Sequence, residues 1–550
     1  MNFDGQVPKT HKELESLPGV GRKTANVVLA EVYGIPSIAV DTHVSRVSKR
    51  LNIAPEDASV EEIEAELMKK IRLTTFLMLT AALFCGRSFR SAAAVPDEQR
   101  SLAIYQIMVA SFQHSPEGAP GYTAMWGPDG HTKNGNIKGI TAALDHIASL
   151  GVNAVWLTPV FDSSTASGGE KLQATGYFTN DYFAIDPHFG TEADFREFVD
   201  EAHRRGLYVI LDGVFGHHGG VTNPSPSGYV IDSTTSFSDR GEQGGTGNVK
   251  YPESLPYFKE VATYWIDRYG VDGWRLDQAY QATQGGHNYW NEIRKEVEDL
   301  AATRRSRGEK WGTLGYMVGE DWGTADVINR GVYRDGGLTS AFDFDGKELI
   351  SGSMQDPSGA GLKGGWDDVQ RVLSQPRKRG YSSNDLNPNL FLSNHDGYRL
   401  ADRFDTADSL YYRRLMLRNG ILAAYPGAIT LYYGDEYADR SRETTGGQKD
   451  NIARTTGHLD ARTPGERALK DYISAVLHFR AANPAVWRGK TKFKRSRVGQ
   501  ADVLTVYKTD RRSGNRVAVI FSDADADVRV KGLDAPVHVD ALIPLFVKIR

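Results

Sequence analysis

From Ala103 onward the chain alternates short apolar runs with longer stretches whose apolar positions recur every three or four residues, a strand-then-helix rhythm. Eight runs read as strands: Ala103–Val109, Ala154–Pro159, Tyr208–Asp212, Gly273–Asp277, Tyr316–Glu320, Ser340–Phe344, Leu390–Ser393 and Ile429–Tyr433. Parallel strands are covered by helices and so carry continuous apolar runs. Eight of them predict an α/β fold, a (β/α)8 TIM barrel over about residues 96–480, with its site at the strands' C-terminal ends. The stretch from Gly219 to about Leu255 is rich in Gly, Ser, Pro and Thr and too long for an ordinary connection, which predicts a short excursion domain at about 219–255, after strand 3. Beyond about Ala481 the period shortens to two. Val503–Tyr507, Arg516–Phe521 and Val537–Leu542 read as strands of a C-terminal β-sandwich over 481–550.

Ahead of the barrel the pattern changes twice. Residues 1–67 are mostly helical by period and form a small α-helical N-terminal fragment. Its glycines at 19 and 21 permit a tight turn whose backbone N–H groups can meet an anion at the start of the next helix. Residues 68–94 then open with Lys69, Lys70 and Arg72, continue with an apolar run from Leu73 to Phe84, and end on small residues through Ala94. This is the three-part plan of a secretory signal peptide, and the run is too short to span a bilayer. Because the segment is headed by Met68, translation from that residue is expected to give a secreted or periplasmic enzyme with no membrane attachment after cleavage. The full chain is expected to remain cytoplasmic, with residues 1–67 as a fused remnant of a neighbouring reading frame.

Composition narrows the chemistry modestly. The 65 Lys and Arg against 69 Asp and Glu leave a net charge of −4, which gives no chain-wide surface for a polyanion. With Cys85 as the single cysteine, intrachain disulfides and cysteine-built metal sites are excluded.

Acidic and histidine residues cluster where the strands end. The third strand leads into Asp212, His217 and His218, the fourth ends Arg275-Leu276-Asp277, the fifth Gly319-Glu320-Asp321, and the seventh His395-Asp396. One such carboxylate reads as a helix cap; four in order, each closing a barrel strand, point to a catalytic constellation. Cleavage of a glycosidic bond passes through an oxocarbenium-like state and needs a carboxylate on one face and an acid on the other.

Over nearly its whole length the 96–550 segment resembles the α-amylase superfamily of glycoside hydrolases (family 13 type). The resemblance rests on those strand ends and on Gly151–Pro159 (GVNAVWLTP), Asp186–Thr191 (DPHFGT) and Pro426–Glu436 (PGAITLYYGDE). It implies a retaining enzyme in which Asp277 is the nucleophile, Glu320 the general acid/base and Asp396 the residue that grips sugar hydroxyls. Arg275 is implied to hold Asp277 ionised, His217 and His395 to bond sugar hydroxyls, and Tyr177 to stack on the ring. The implied substrate is starch or a malto-oligosaccharide; transglycosylation, or action on α-1,6 links, sucrose or trehalose, keeps the same chemistry. No cofactor is required by the resemblance, and no nucleic acid is expected at the barrel. Calcium is common in the superfamily, but Gly216 stands where the family usually places an asparagine ligand, and Gln278-Ala279-Tyr280-Gln281 replaces a segment with a basic residue and a histidine. The usual calcium site is therefore expected to be altered and calcium not to be required there; calcium elsewhere stays open, and no metal ligand is assigned.

Residues 17–47 (LPGVGRKTANVVLAEVYGIPSIAVDTHVSRV) resemble the helix-hairpin-helix core of the endonuclease III family of DNA glycosylases. The resemblance implies that Lys23 is the attacking amine and Asp41 its assistant, in a DNA glycosylase/AP lyase activity. It covers about 67 residues, without the preceding helices or the following cysteine cluster, so the fragment is incomplete.

Overall fold

The computed structural model describes residues 7–33, 40, 42–50, 53–55, 57–67, 95–122, 134–166, 169–234, 247–351, 362, 364–441 and 452–550. The chain divides into two compact units, Met1–Ala93 and Ala94–Arg550. The signal-like segment 68–94 and Asp41 lie outside the described residues, as does part of the expected excursion domain, residues 235–246.

In the first unit, helices His11–Glu15 and Arg22–Tyr33 flank the expected turn. Gly19 sits at φ +82°, a left-handed conformation that a side chain would strain. Leu14, Ala25 and Leu29 form a small buried cluster, and a second one gathers Val40, Ala54, Ala58 and Ile63. Arg22 donates to Glu64 at 2.9 Å, and the Asn26 amide donates to the same carboxylate at 2.9 Å. Val27 and Val32 of the longer helix are 45% and 57% exposed, an apolar face with little cover.

The second unit is built on eight parallel strands: β1 (Ala103–Ile107), β2 (Ala154–Leu157), β3 (Tyr208–Gly213), β4 (Gly273–Leu276), β5 (Tyr316–Gly319), β6 (Ser340–Ala341), β7 (Leu390–Phe391) and β8 (Ile429–Tyr432). They lie in the order β6-β5-β4-β3-β2-β1-β8-β7. A parallel bridge between Phe342 and Asn389 joins the two ends, with the Asn389 N–H donating to Ala341 O at 2.9 Å and the Asp343 N–H to Asn389 O at 2.8 Å. The sheet therefore closes into the expected barrel. All eight strands fall where the apolar runs are, although most are shorter. The sixth ends at Ala341, and Phe344 already opens the helix Phe344–Ser351.

Side chains alternate across each strand. Ile104, Ala154, Trp156, Ile210, Tyr316, Val318, Phe342 and Phe391 belong to one cluster that fills the lumen. Tyr105, Ile107, Val155, Leu157, Val209, Leu211, Trp274 and Leu276 face outward into the layer shared with the helices. The helices around the barrel are sharply delimited. Thr191 and Asp194 form a reciprocal cap for Glu192–Arg204, and Gly270 ends Leu255–Tyr269 in the left-handed region at φ 76°.

After β3 the chain forms a three-stranded sheet from His217–His218, Ser233–Thr234 and Gly247–Val249, at the place expected for the excursion. At the C-terminus, β9 (Lys490–Val498), β10 (Ala501–Thr509), β11 (Arg516–Ser522) and β14 (Leu545–Lys548) form an antiparallel sheet. A ribbon of β12 (Ala526–Val528) and β13 (Val537–Val539) stands beside it. Val503, Ala518, Ile520, Val528 and Val539 pack between sheet and ribbon, whereas Leu504, Val506, Val519 and Phe521 join the barrel's outer core. A helix from Pro464 to Ala482 precedes these C-terminal strands. Among the described residues no helix is long and apolar enough to cross a membrane.

Candidate active site

The alternation that fills the lumen also places the polar groups. Asp212 shares the inward parity of Ile210, Arg275 faces the same way one strand over, and Asp277 and Glu320 follow just past the ends of β4 and β5. In register, Asp212 lies beside Arg275, and Arg275 beside Val318. A charged layer thus caps the apolar lumen at the C-terminal ends of the strands.

Arg275 is the hub of that layer. Its NH1 donates to Asp212 Oδ1 at 2.9 Å and Oδ2 at 3.1 Å, and to Asp277 Oδ1 at 2.9 Å. Its NH2 stands 2.8 Å from Glu320 Oε1. The sequence suggested a pairing of Arg275 with Asp277; the guanidinium is in fact divided among three carboxyl groups. Asp212 also accepts from Trp156 Nε1 at 3.1 Å and from the Tyr177 hydroxyl at 2.7 Å. Burial raises Asp212 to about 6 against the pull of Arg275. Burial likewise lifts Asp277 well above the usual carboxylate range, with Arg275 opposing and the neighbouring carboxylates adding to the rise. Three buried carboxyl groups around one cation leave an excess of negative charge, which a retained proton within the group relieves.

Asp396 stands apart from this hub and is held by Arg454, which donates from NH2 to Asp396 Oδ1 at 2.9 Å and from Nε to the His395 carbonyl at 3.1 Å. His395 Nε2 is 3.2 Å from Asp396 Oδ2, and the Gln106 amide donates to His395 Nδ1 at 2.8 Å. The rings of Tyr177 and His395 lie parallel, 5.2 Å between centroids and 4° apart. Burial pushes His395 well below its ordinary value.

Glu320 accepts from the Trp322 indole at 2.9 Å on Oε1 and from the Gln278 backbone at 3.2 Å on Oε2. His217 approaches Asp277 Oδ2 to 3.8 Å with Nε2, while Nδ1 meets Gln281 Oε1 at 3.2 Å. Burial drives His217 down to about 4. The space beside Gly216 is taken by Gln281, whose Oε1 would be 2.0 Å from a Cβ at position 216. The neutral Gln281 amide therefore occupies the space beside Gly216. Among the described residues no three His, Cys, Asp or Glu side chains are arranged to hold a metal.

The seven barrel residues given roles from the sequence (Tyr177, His217, Arg275, Asp277, Glu320, His395 and Asp396) thus form one contiguous cluster at the C-terminal ends of the strands, with Asp212 within it. Trp322, Arg454 and Gln281 were missed as site residues. Trp322 follows the acid by two positions and was within reach of inspection; Arg454 comes 58 residues after its partner and carries no local signal. In the N-terminal unit Lys23 is the second residue of Arg22–Tyr33, and its side chain, like Asp41, lies outside the described residues.

The family model described as "Alpha amylase, catalytic domain" matches residues 106–226 and 248–471. A helix-hairpin-helix motif matches residues 2–31. A cyclomaltodextrinase of Bacillus sp. is 28% identical over 420 residues, covering 71% of this chain and 67% of its own. An intracellular maltogenic amylase of Bacillus subtilis (strain 168) is 29% identical over 370 residues, with 62% and 56% covered. Among solved structures, AmyP in complex with maltose aligns at 31% identity and a TM-score of 0.68, covering 84% of this chain and 98% of that one.

Proposed function

The chain belongs to the alpha-amylase family and is a glycoside hydrolase, and from that premise we propose that it cleaves α-glucosidic bonds of malto-oligosaccharides or starch with retention of configuration. The observation that carries this reading is Arg275, which ties Asp277 and Glu320 to one guanidinium at the ends of neighbouring strands. In the proposed sequence, Glu320 gives a proton to the leaving oxygen while Asp277 attacks the anomeric carbon, forming a glycosyl-enzyme. Glu320 then takes a proton from the incoming water, which releases the sugar. As Asp277 gives up its charge to the new bond and Glu320 gains one, Arg275 keeps contact with both oxygens and the cluster's net charge is conserved. Asp396, anchored by Arg454, accepts from hydroxyls of the same sugar.

The α-glucan substrate class follows the printed names of the relatives, cyclomaltodextrinase and maltogenic amylase, and the maltose bound to AmyP. Trp322 bonds to the proposed acid and so borders the leaving-group side. Its exposed ring offers a surface for a second sugar, which favours transfer to a saccharide acceptor as a competing outcome. Export is proposed for the product translated from Met68, on the sequence pattern of residues 68–94.

Proton NMR of a fresh maltoheptaose digest should show the α-anomer first, and Asp277→Asn should lose several orders of magnitude in turnover. The β-anomer appearing first, or an active Asp277→Asn, would remove Asp277 from the nucleophile's role. Parallel digests of isomaltose, sucrose and trehalose separate the linkage alternatives.

A further inference from the structure

Just past Asp277 the backbone turns in a way that L-residues seldom adopt. Gln278 sits at φ 40° and ψ 51°, in the left-handed region that a Cβ disfavours. What this conformation replaces can be read from the strand ladder. The Glu320 N–H donates to the Leu276 carbonyl at 2.8 Å, and the two-residue step of a parallel ladder would next put the Gln278 N–H on the Glu320 carbonyl. The Ala279 N–H takes that carbonyl instead, at 2.7 Å. The Gln278 N–H is thereby turned onto the Glu320 side chain and meets Oε2 at 3.2 Å. The turn is pinned from within its own segment. The Gln278 amide oxygen accepts from the Tyr280 hydroxyl at 2.7 Å and from Gln281 Nε2 at 3.2 Å, and the Gln278 carbonyl accepts from the Gln281 N–H at 2.9 Å. Trp290 Nε1 holds the next carbonyl, that of Ala279, at 2.6 Å.

We propose that Gln278 is a positioning residue for the acid/base, its left-handed backbone holding an N–H against the oxygen of Glu320 that hands over the proton. Arg275 NH2 and the Trp322 indole both meet Oε1, which leaves Oε2 to carry the proton. The hydroxyl oxygen of a carboxyl group is a weak acceptor and a carboxylate oxygen a strong one, so the contact with the Gln278 N–H strengthens as the charge appears. In the step itself the proton passes from Oε2 to the glycosidic oxygen. The leaving saccharide keeps the electron pair of the broken C–O bond, and the Gln278 N–H keeps its own hydrogen. An interaction that is stronger in the transition state than in the ground state speeds the chemical step. One residue thus serves both halves of the reaction, joined by a peptide bond to Asp277 and by a hydrogen bond to Glu320. The role rests on the proposed assignment of Glu320 as the acid/base; the placement of the N–H does not.

Departure of a sugar alcohol from maltoheptaose needs a proton, whereas departure of fluoride from α-maltosyl fluoride needs little help from an acid. For both substrates kcat/KM reports the steps up to the glycosyl-enzyme. A β-branched residue resists the left-handed region and asparagine accepts it, so Gln278→Val and Gln278→Asn are compared in the full chain. In Gln278→Val, kcat/KM on maltoheptaose should fall roughly tenfold or more, while that on α-maltosyl fluoride should stay within about twofold of wild type. Gln278→Asn should recover most of the loss. An equal fall on both substrates, no fall in Gln278→Val, or Gln278→Asn as slow as Gln278→Val would each overturn the proposal. If Gln278→Val fails to fold, Gln278→Gly against Gln278→Ala makes the same comparison. Glycine takes φ 40° freely and should be the faster on maltoheptaose; the reverse order would overturn the proposal. The hydrogen bond is also read without turnover. With glutamine labelled in 15N, the Gln278 backbone amide, identified by its loss in Gln278→Asn, should move upfield in Glu320→Ala, and an unmoved resonance would overturn the proposal. A chain that shows this shift but cleaves neither substrate would overturn the function reading and leave the placement of the Gln278 N–H standing.

Discussion

Trp322 donates its indole Nε1 to Glu320 Oε1 at 2.9 Å, although the residue is 57% exposed. The same oxygen faces Arg275 NH2 at 2.8 Å. Two donors on Oε1 steer a carboxyl proton toward Oε2, so the indole helps aim the acid. The other edge of Trp322 packs on Phe344, with 5.0 Å between centroids. In Trp322→Phe the ring survives and the donor is lost. A hydrogen bond to a charged group contributes about 1.5–3 kcal/mol, so kcat should fall by about tenfold or more with KM little changed. Trp322→Ala should raise KM as well. Steady-state kinetics on maltoheptaose checks both, and an unchanged kcat in Trp322→Phe would discard the aiming role.

Arg454 offers a sharper test of how Asp396 is held. It contacts both the Asp396 carboxylate and the His395 carbonyl, so Arg454→Met frees the carboxylate to rotate and removes its counter-charge. Loss of a charge-assisted contact that orients the carboxylate corresponds to about 1.5–3 kcal/mol, or roughly ten- to a hundredfold in kcat/KM. Asp396 keeps some contact with solvent, so the melting temperature should move little. A large thermal shift with intact turnover would make Arg454 structural.

The pH dependence of stability carries a signature of His217. Folding lowers its pKa from 6.5 to about 4 through burial. The folded state favours the neutral ring, so this contribution is fully present above 6.5 and is lost as pH falls through about 4. Its size is up to about 3 kcal/mol. Asp212 has the opposite sign: raised to about 6 by burial, it contributes below 3.8 and loses that contribution as pH rises through about 6. Comparison with His217→Gln isolates the first group. Between pH 7 and pH 4, urea unfolding of the wild type should lose stability relative to the variant, and parallel curves would contradict the assignment.

The two compact units predict separable behaviour. A chain of residues 96–550 should match the full chain in maltoheptaose turnover, because every side chain proposed to touch sugar lies after Pro96. The full chain should not nick thymine-glycol DNA, since a glycosylase must hold a flipped base between two helical halves and much of one is missing from residues 1–67. Nicking that disappears in Lys23→Gln would make the protein bifunctional.

The barrel was legible because its signal is local. The eight strands are short and mostly apolar, a pattern imposed by burial on both faces, and the charged groups stood out because they interrupt or follow such runs. Strand β9 was missed for the opposite reason. Its sequence, KTKFKRSRV, places basic residues on both faces of an edge strand that stays largely exposed, and charged edges are how sheets avoid pairing with other chains. The sixth strand was drawn too long because the lumen-facing Phe342 and the helix-opening Phe344 extend its apolar run.

By itself the sequence determined the barrel, the order of its strands along the chain, and which carboxylates close them, since burial and alternation act over a few neighbouring residues. Only the tertiary structure decided how those charges are shared. Pairing of β3, β4 and β5 brings Arg275 within reach of Asp212 and Glu320 as well as Asp277, and the folded chain brings Arg454 to Asp396 and Gln281 into the space left by Gly216. Apart from Asp277, those partners lie far along the chain from the groups they meet, 63 residues for Asp212 and 58 for Arg454, and no local period records a hydrogen bond made between strands that far apart in the chain.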